Sequence, residues 1–140
     1  MKNRKIFYVL ALSFGLFAAS CSNDDNEGET IIPLEGKYNL SQIGAVVNGQ
    51  EVLTDAPQNT SGCDRDYLQL KIDNTLIVGD YDSTVSACAL TETGGIYSRS
   101  HNDLTTVVNN ITQTQDIMNL TNKELKLKDK TTGVITVYTR

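Results

Sequence analysis

A strict alternation of apolar and polar residues constrains the fold of this chain more than any other feature of its sequence. In residues 67–72 every second position is leucine or isoleucine, and residues 123–130 show the same alternation with leucine. Successive side chains of a β-strand point to opposite faces, so this pattern predicts strands with one buried face. Further strands are predicted at residues 37–44, 75–81, 95–100, 104–110, 114–120 and 133–139.

The segments between these strands predict short antiparallel connections. Asn48-Gly49 is a favoured pair for a type I′ turn, and the pairs at 73–74, 102–103 and 121–122 can close other short loops. No window has the spacing of a long amphipathic helix. The sequence therefore predicts an all-β fold, a small antiparallel up-and-down barrel that closes to bury its apolar face. The residues expected to fill the interior are Leu68, Leu70, Ile72, Leu104, Val108, Ile117, Leu125, Leu127 and Val137.

The first twenty residues have the three parts of a secretory signal. The positively charged n-region contains Lys2, Arg4 and Lys5, and the apolar h-region is residues 6–17. The small residues of the cleavage site are residues 18–20. A membrane-spanning helix needs roughly 20 apolar residues, and this run is shorter and ends without a charge that would stop transfer. Residues 1–20 are therefore predicted to be a cleaved signal peptide, with an uncleaved anchor or an ordinary secretory signal as alternatives.

Cys21 stands between this apolar run and an acidic stretch. The sequence Ala-Ala-Ser-Cys at residues 18–21 resembles the bacterial lipobox, although Ala18 stands where that motif usually has Leu. The resemblance implies that Cys21 is lipidated and becomes the N-terminus of a lipoprotein. Acyl chains hold a protein to a membrane at roughly 0.8 kcal/mol per buried methylene. The membrane, bound through this lipid anchor, is thus the first predicted partner.

Residues 21–32 are predicted to be an acidic tether, because residues 22–29 have low hydrophobicity and like charges and cannot bury a core. This stretch resembles the lipoprotein export signal of Bacteroidetes-type bacteria, which implies a place on the outer face of the outer membrane. A lipoprotein that faces the periplasm is the alternative. Removal of residues 1–20 would take away three of the 12 basic and none of the 17 acidic residues, for a net charge of about −8. This acidity disfavours a nucleic-acid partner.

Cys63 and Cys88 are the two other cysteines, and an exported chain folds where disulfides form. If residues 73–74 form the turn between two neighbouring strands, residue 63 lies opposite residue 84, one bend away from Cys88. A disulfide is therefore predicted, and closing a loop of about 26 residues would contribute roughly 3 kcal/mol. Two separate buried thiols are the alternative.

Several short segments resemble the small lipocalin-like domains of Bacteroidetes lipoproteins. They are Leu-Glu-Gly-Lys-Tyr at the start of the first strand, the two cysteines, and the terminal Val-Tyr-Thr-Arg. In lipocalins a Gly-x-Trp opens the first strand, and a basic residue late in the barrel packs on that Trp. Gly36 matches the Gly, Tyr38 stands in place of the Trp, and Arg140 supplies the cation. The resemblance implies a lipocalin-like barrel over residues 33–140 with these three residues at its base.

The sequence offers little for catalysis or metal binding. His101 is the single histidine, falls in a turn, and has beside it a Ser100 without the signature of an activated nucleophile. Asp80 and Asp82 lack the rest of a calcium loop, and no set of ligands has the spacing of a zinc site. The protein is therefore predicted not to be an enzyme and to need no cofactor.

Residues 82–84, Asp-Ser-Thr, resemble the O-glycosylation motif of Bacteroidetes. The resemblance implies that Ser83 is an exposed glycan acceptor.

These features predict a lipid-anchored envelope protein whose barrel binds a small hydrophobic ligand or an envelope protein partner. From Cys21 onward the chain contains neither Phe nor Trp, whereas apolar pockets usually have aromatic walls. The interior is therefore expected to be small, with any pocket at an open end near Asn48 and His101. The alternative is a structural or interaction lipoprotein whose barrel is filled by its own side chains and binds no small molecule.

Overall fold

A computed structural model describes residues 31–140, and this range forms nine β-strands. The range contains no helix that is long and apolar enough to cross a membrane. The predicted signal peptide, Cys21 and nearly all of the predicted tether lie outside it. The strands are β1 (Gly36–Val47), β2 (Gln50–Asp55), β3 (Tyr67–Leu70), β4 (Thr75–Asp82), β5 (Ala89–Ser100), β6 (Asp103–Val108), β7 (Ile111–Leu120), β8 (Glu124–Asp129) and β9 (Ile135–Thr139).

The strand β8 shows why these residues form a sheet. Leu125, Leu127 and Asp129 are buried, whereas Lys126 and Lys128 between them are partly exposed. The apolar residues of the alternating pattern thus point to the buried face of the sheet, and the polar residues between them point to the outer face. The all-β prediction is confirmed.

The sheet closes on itself. One edge of β1 pairs with β3 and the other edge pairs with β9, while each strand from β3 to β8 pairs with the next one along the chain. All pairs are antiparallel, so eight strands, β1 and β3 to β9, form the wall of an up-and-down barrel. Closure gives the inward side chains one shared interior. The predicted architecture is therefore confirmed.

The strand β2 is an element that the sequence analysis missed. It pairs with the second part of β1, so β2 and β3 follow one another along the same edge of β1. Residues 56–66 leave the wall between them. The Asn59 side chain fixes this excursion, because it donates to the Leu40 carbonyl oxygen at 2.9 Å and accepts from the Asp66 amide at 3.0 Å. Most of β2 is exposed, and its sequence has no apolar alternation. The alternation of apolar residues therefore could not identify it.

The two ends of the barrel carry different turns, because successive strands of the wall run in opposite directions. We call the end with turns 71–74, 101–102 and 121–123 the base. The opposite end, which we call the mouth, carries connections 48–49, 83–88, 109–110 and 130–134.

This arrangement corrects the predicted location of the pocket. Asn48 and Gly49 have φ angles of 51° and 80° in the turn between β1 and β2, and this turn lies at the mouth. His101 lies in the turn between β5 and β6, at the base. The two residues therefore do not border a common opening, and the prediction that placed them there is wrong.

The hydrophobic core occupies the half of the barrel next to the base. Its members are contributed by the base ends of successive strands and are almost inaccessible to solvent. The largest of them are Tyr38, Leu70, Leu76, Leu104, Leu125 and Leu127. This half of the barrel is therefore filled by the protein itself.

Ile72 does not belong to this core, contrary to the sequence analysis. The strand β3 ends at Leu70, so Ile72 lies in the turn that follows and is 88% exposed. The alternation of the segment continues past the end of the strand, and that continuation made the prediction wrong.

Val137 is buried, but on the outward face of the wall. Its neighbour Tyr138 pairs with the core residue Leu125, whereas Val137 pairs with Lys126. The Lys126 ammonium forms a salt bridge with Glu51 of β2 at 2.9 Å. The hairpin of β1 and β2 thus reaches over this outer face, and the predicted interior position of Val137 is wrong.

Candidate functional site

A contact between a cation and an aromatic ring closes the base of the barrel. The guanidinium carbon of Arg140 lies 4.3 Å from the ring centroid of Tyr38. The same guanidinium donates to the carbonyl oxygens of Pro33 at 3.0 Å and Glu35 at 2.9 Å, and to the Tyr38 hydroxyl. Gly36 has a φ angle of 146°, and an added Cβ there would lie 3.2 Å from the Arg140 side chain. The structure thus brings Gly36, Tyr38 and Arg140 together.

Tyr38 also anchors the segment that enters the barrel. Its hydroxyl donates to the Leu34 carbonyl oxygen at 2.7 Å, and both residues are buried. Burial raises the pKa of Tyr38 above its usual value, and the neighbouring Arg140 opposes part of this rise. Tyr38 therefore remains a neutral donor at physiological pH. The base is closed by packed and hydrogen-bonded groups, so access to the interior must come from the mouth.

Two cavities lie toward the mouth. The larger has a volume of about 440 Å³, and we call it the acidic cavity because three aspartates are among its lining residues. Its principal residues are Leu40, Asp66, Val78, Asp80, Asp82 and Tyr138. The smaller has a volume of about 260 Å³, and we call it the neutral cavity. Its principal residues are Leu76, Val78, Thr93, Thr106, Gln115 and Tyr138.

Val78 and Tyr138 line both cavities, so the two spaces adjoin one another. Val78 pairs with the core residue Leu68 and therefore faces inward. It is nevertheless 37% exposed. An inward-facing apolar side chain with this exposure shows that the barrel is not filled at its mouth.

Asp66, Asp80 and Asp82 bring three carboxylates to the wall of the larger cavity. Burial raises the pKa of Asp66, the Tyr81 amide opposes this by donating to its carboxylate at 2.8 Å, and Asp80 and Asp82 raise it further. Burial, together with the charge of Asp66, raises the pKa of Tyr138 to about 12. Tyr138, which lines both cavities, therefore stays protonated and uncharged.

Cys63 and Cys88 form a disulfide with Cα atoms 5.3 Å apart, as the sequence predicts. The bond ties the excursion 56–66 to the connection 83–88 between β4 and β5, at the mouth. Gln58 of the excursion and Asp82 at the end of β4 both line the acidic cavity. The disulfide therefore fixes two segments that border the opening.

Ser83 lies beside this disulfide. Its hydroxyl oxygen accepts a hydrogen bond from the Cys88 amide at 3.1 Å and lies 3.6 Å from the Cys63 sulfur. Ser83 is exposed, as a modified residue must be. Its O-glycosylation stays a prediction.

The remaining candidates for chemistry lie apart from one another. The His101 ring is exposed at the base, with Nδ1 3.4 Å from the Ser100 hydroxyl. The Asp82 carboxylate accepts from the amide and the hydroxyl of Thr84, at 2.7 and 2.8 Å, which lowers the pKa of Asp82. Within residues 31–140 no group of three or more His, Cys, Asp or Glu residues is arranged to hold a metal ion.

Polar residues that face the interior are the feature that sequence reasoning missed. Thr106 and Gln115 follow the core residues Leu104 and Ile117 toward the mouth and keep the same inward orientation. The sequence does contain a signal for them. The alternation of each strand places these two positions on the inward face, yet polar residues occupy them instead of apolar ones. This change marks where the packed core ends and the cavities begin.

The comparisons with known proteins agree with this architecture. Residues 34–127 match the family model of the lipocalin-like domain. The chain is similar to the crystal structure of a lipocalin-like protein from Bacteroides uniformis ATCC 8492, with a TM-score of 0.58, 13% sequence identity, and coverage of 76% of this chain and 97% of that one.

It is also similar to the crystal structure of an uncharacterized protein from Bacteroides eggerthii DSM 20697, with a TM-score of 0.56 and 10% identity, over 77% of this chain and 99% of that one. No curated protein matches the chain. Likeness at these identities concerns the fold alone. Because the family match spans more than half of the sequence, the chain belongs to the family of lipocalin-like domains.

Proposed function

We propose that this lipocalin-like domain binds one small, largely apolar molecule in the mouth half of its barrel. The observation that carries the proposal is Val78, an inward-facing apolar residue left 37% exposed between cavities of about 440 Å³ and about 260 Å³. Small-molecule sites commonly have volumes of a few hundred Å³ and few polar groups. An eight-stranded barrel is wide enough to hold one such ligand.

A binding test uses the full chain with Cys21→Ser, which removes the predicted acylation site, and the uncharged fluorescent probe N-phenyl-1-naphthylamine. We expect saturable binding of one probe per chain. Val78→Trp should weaken this binding by at least about tenfold, because the indole fills the space that both cavities share.

Ile96→Trp is the matched control, since Ile96 is 58% exposed and lies on the outward face of the neighbouring strand β5. It should bind the probe like the parent chain. Absence of saturable binding up to the solubility of the probe would refute the proposed function, and so would equal binding by the Val78→Trp variant.

We further propose that the domain works at the cell envelope, held by a lipid on Cys21 and a tether of residues 21–32 on the outer face of the outer membrane. The lipobox-like residues and the acidic stretch after them support this placement. Cys21→Ala should move the protein from the membrane to a soluble fraction, and a variant that stays with the membrane would contradict the anchor. Protease added to intact cells should digest the domain if it is displayed on the surface.

A second candidate function, contact with an envelope protein, is supported by the hairpin of β1 and β2. Val47 and Val52 lie on the same face of this hairpin near its tip and are 51% and 50% exposed. Contiguous exposed apolar residues often mark interaction surfaces. Val47→Ser with Val52→Ser should leave probe binding unchanged and reduce crosslinking to a partner in intact cells. If crosslinking is unchanged, the hairpin is not the contact surface.

A further inference from the structure

We infer that the molecule held in the barrel is a cationic amphiphile, with an apolar body and a positively charged amine. The inference rests on the proposed function and adds the chemical class of the ligand. It is argued from the charge of the acidic cavity and from buried polar groups of the neutral cavity.

The acidic cavity combines apolar and negative groups. Leu40, Val78 and Tyr138 offer apolar surface, and Asp66, Asp80 and Asp82 offer carboxylates. No basic residue lines either cavity within the part of the chain that the structure describes. Arg65 donates to the Leu40 carbonyl oxygen at 3.5 Å but does not itself line the cavity. A ligand with a positive group would therefore meet attraction here, and one with a carboxylate would meet repulsion.

The neutral cavity supplies an independent sign of a ligand. Thr106 and Gln115 are each only 8% exposed, and both line this cavity. Neither side chain is hydrogen-bonded to another residue of the range 31–140. Because no fully enclosed polar side-chain atom in that range lacks a partner, the polar atoms of Thr106 and Gln115 are open to the cavity. Buried polar groups of this kind normally meet water or a ligand.

The two cavities together match the two parts of an amphiphile. Val78 and Tyr138 form their shared wall, so one molecule can place its apolar body beside them and its amine near the carboxylates. Asp66 and Tyr138 line the same cavity, so a cation near that carboxylate remains next to the shared wall. An organic cation requires no coordination geometry, and the described residues offer none for a metal ion.

A matched series of ligands tests the inference. Octylammonium, 1-octanol and octanoate have the same alkyl chain with positive, zero and negative charge. Each is titrated against the full chain with Cys21→Ser and bound N-phenyl-1-naphthylamine, and displacement of the probe is measured. We expect octylammonium to bind about tenfold more tightly than octanol, and octanoate to bind least. Added salt should reduce this preference, because it screens the exposed part of the carboxylates.

A double variant, Asp66→Asn with Asp80→Asn, should reduce the preference for octylammonium over octanol to about twofold and leave octanol binding unchanged. The asparagine at position 66 can still accept from the Tyr81 amide, so the wall should keep its shape. Asp55→Asn with Asp64→Asn is the control, because it removes two exposed charges that line neither of these two cavities. This control should keep the full preference.

The outcomes separate the two proposals. Equal binding of all three ligands, or tighter binding of octanoate, overturns the cationic ligand and leaves the proposed function standing. Failure of all three ligands and of the probe overturns the proposed function itself. A preference that the control pair abolishes as well would assign the effect to the net charge of the protein and overturn the role of the cavity carboxylates.

Discussion

The base and the mouth of this barrel are built on the same strands, yet one is filled and the other is open. At the base, inward positions are leucines and a tyrosine, and Leu104, Leu125 and Leu127 have no solvent exposure. At the mouth, inward positions include Thr106, Gln115, carboxylates and the partly exposed Val78, and cavities remain. The packed base therefore stabilises the domain, while the mouth keeps space that side chains do not fill.

Substitutions in the packed base should destabilise the domain far more than substitutions at the open mouth. Leu127→Ala should lower the free energy of unfolding by about 2–5 kcal/mol, because it leaves a void in a packed core. Val78→Ala should cost less than about 1 kcal/mol, because that side chain is partly exposed and borders open space. Urea denaturation measures both. Equal losses would contradict the contrast between a filled base and an open mouth.

The disulfide is the main covalent support of the mouth. Cys63→Ser with Cys88→Ser should lower the free energy of unfolding by roughly 3 kcal/mol, because the unfolded chain regains the freedom of a loop of about 26 residues. The variant should also bind the fluorescent probe more weakly, since the segments bordering the acidic cavity are no longer tied. Unchanged stability in chemical denaturation would show that the loops are held without the bond.

Arg140 tests the closure of the base. Arg140→Ala should cost about 1–2 kcal/mol, because it removes the contact with Tyr38 and two hydrogen bonds to carbonyl oxygens. Arg140→Lys should recover only part of this, since an ammonium cannot reproduce the fork of donors. Both variants should keep probe binding, and thermal unfolding measures the difference. Loss of binding in Arg140→Ala would indicate that the base and the mouth are coupled.

Asp129, near the mouth, makes stability depend on acid pH. Hydrogen bonds from the Thr132 amide, the Gln113 side chain and the Thr132 hydroxyl hold the pKa of Asp129 at about 2, below its ordinary value. A group with a lowered pKa in the folded state stabilises the fold above its ordinary pKa, and this contribution is lost as the pH falls from about 4 to about 2.

Asp129→Asn should therefore show a shallower loss of stability over that range than the parent chain. Urea midpoints measured at several pH values give the comparison. If the two chains have parallel curves, the turn at 130–134 does not depend on the charge of Asp129.

The smallest effect is expected at Ile72, in the turn after β3. Ile72→Ser should change the free energy of unfolding by less than about 0.5 kcal/mol, because the side chain is 88% exposed and outside the core. A loss of more than about 2 kcal/mol would place Ile72 inside the barrel, as its alternation with Leu68 and Leu70 suggests.

The sequence predicts the base well because packing there follows a period of two residues. Leu68, Leu70, Leu125 and Leu127 are identified correctly, and the cysteine pair follows from the turn between two neighbouring strands. The mouth is predicted poorly. Several inward positions around its cavities are polar. A pattern of apolar residues gives no information about the volume that side chains leave unfilled.

The path of the excursion between β2 and β3 could not be predicted from the sequence either. Residues 56–66 are positioned by distant partners, such as the contact of Asn59 with Leu40 and that of Thr60 with Tyr81 at 2.8 Å. Such contacts form only when the barrel is closed, so no local sequence pattern predicts them.

Intermolecular nuclear Overhauser effects between a bound ligand and the methyl groups of the barrel show which half of the barrel holds the ligand. With octylammonium bound, we predict contacts from its alkyl protons to the methyl groups of Val78 and Thr106 at the mouth, and none to those of Leu125 and Leu127 at the base. Contacts at the base, or a ligand that touches only outward-facing residues such as Ile96, would contradict an open mouth above a filled base.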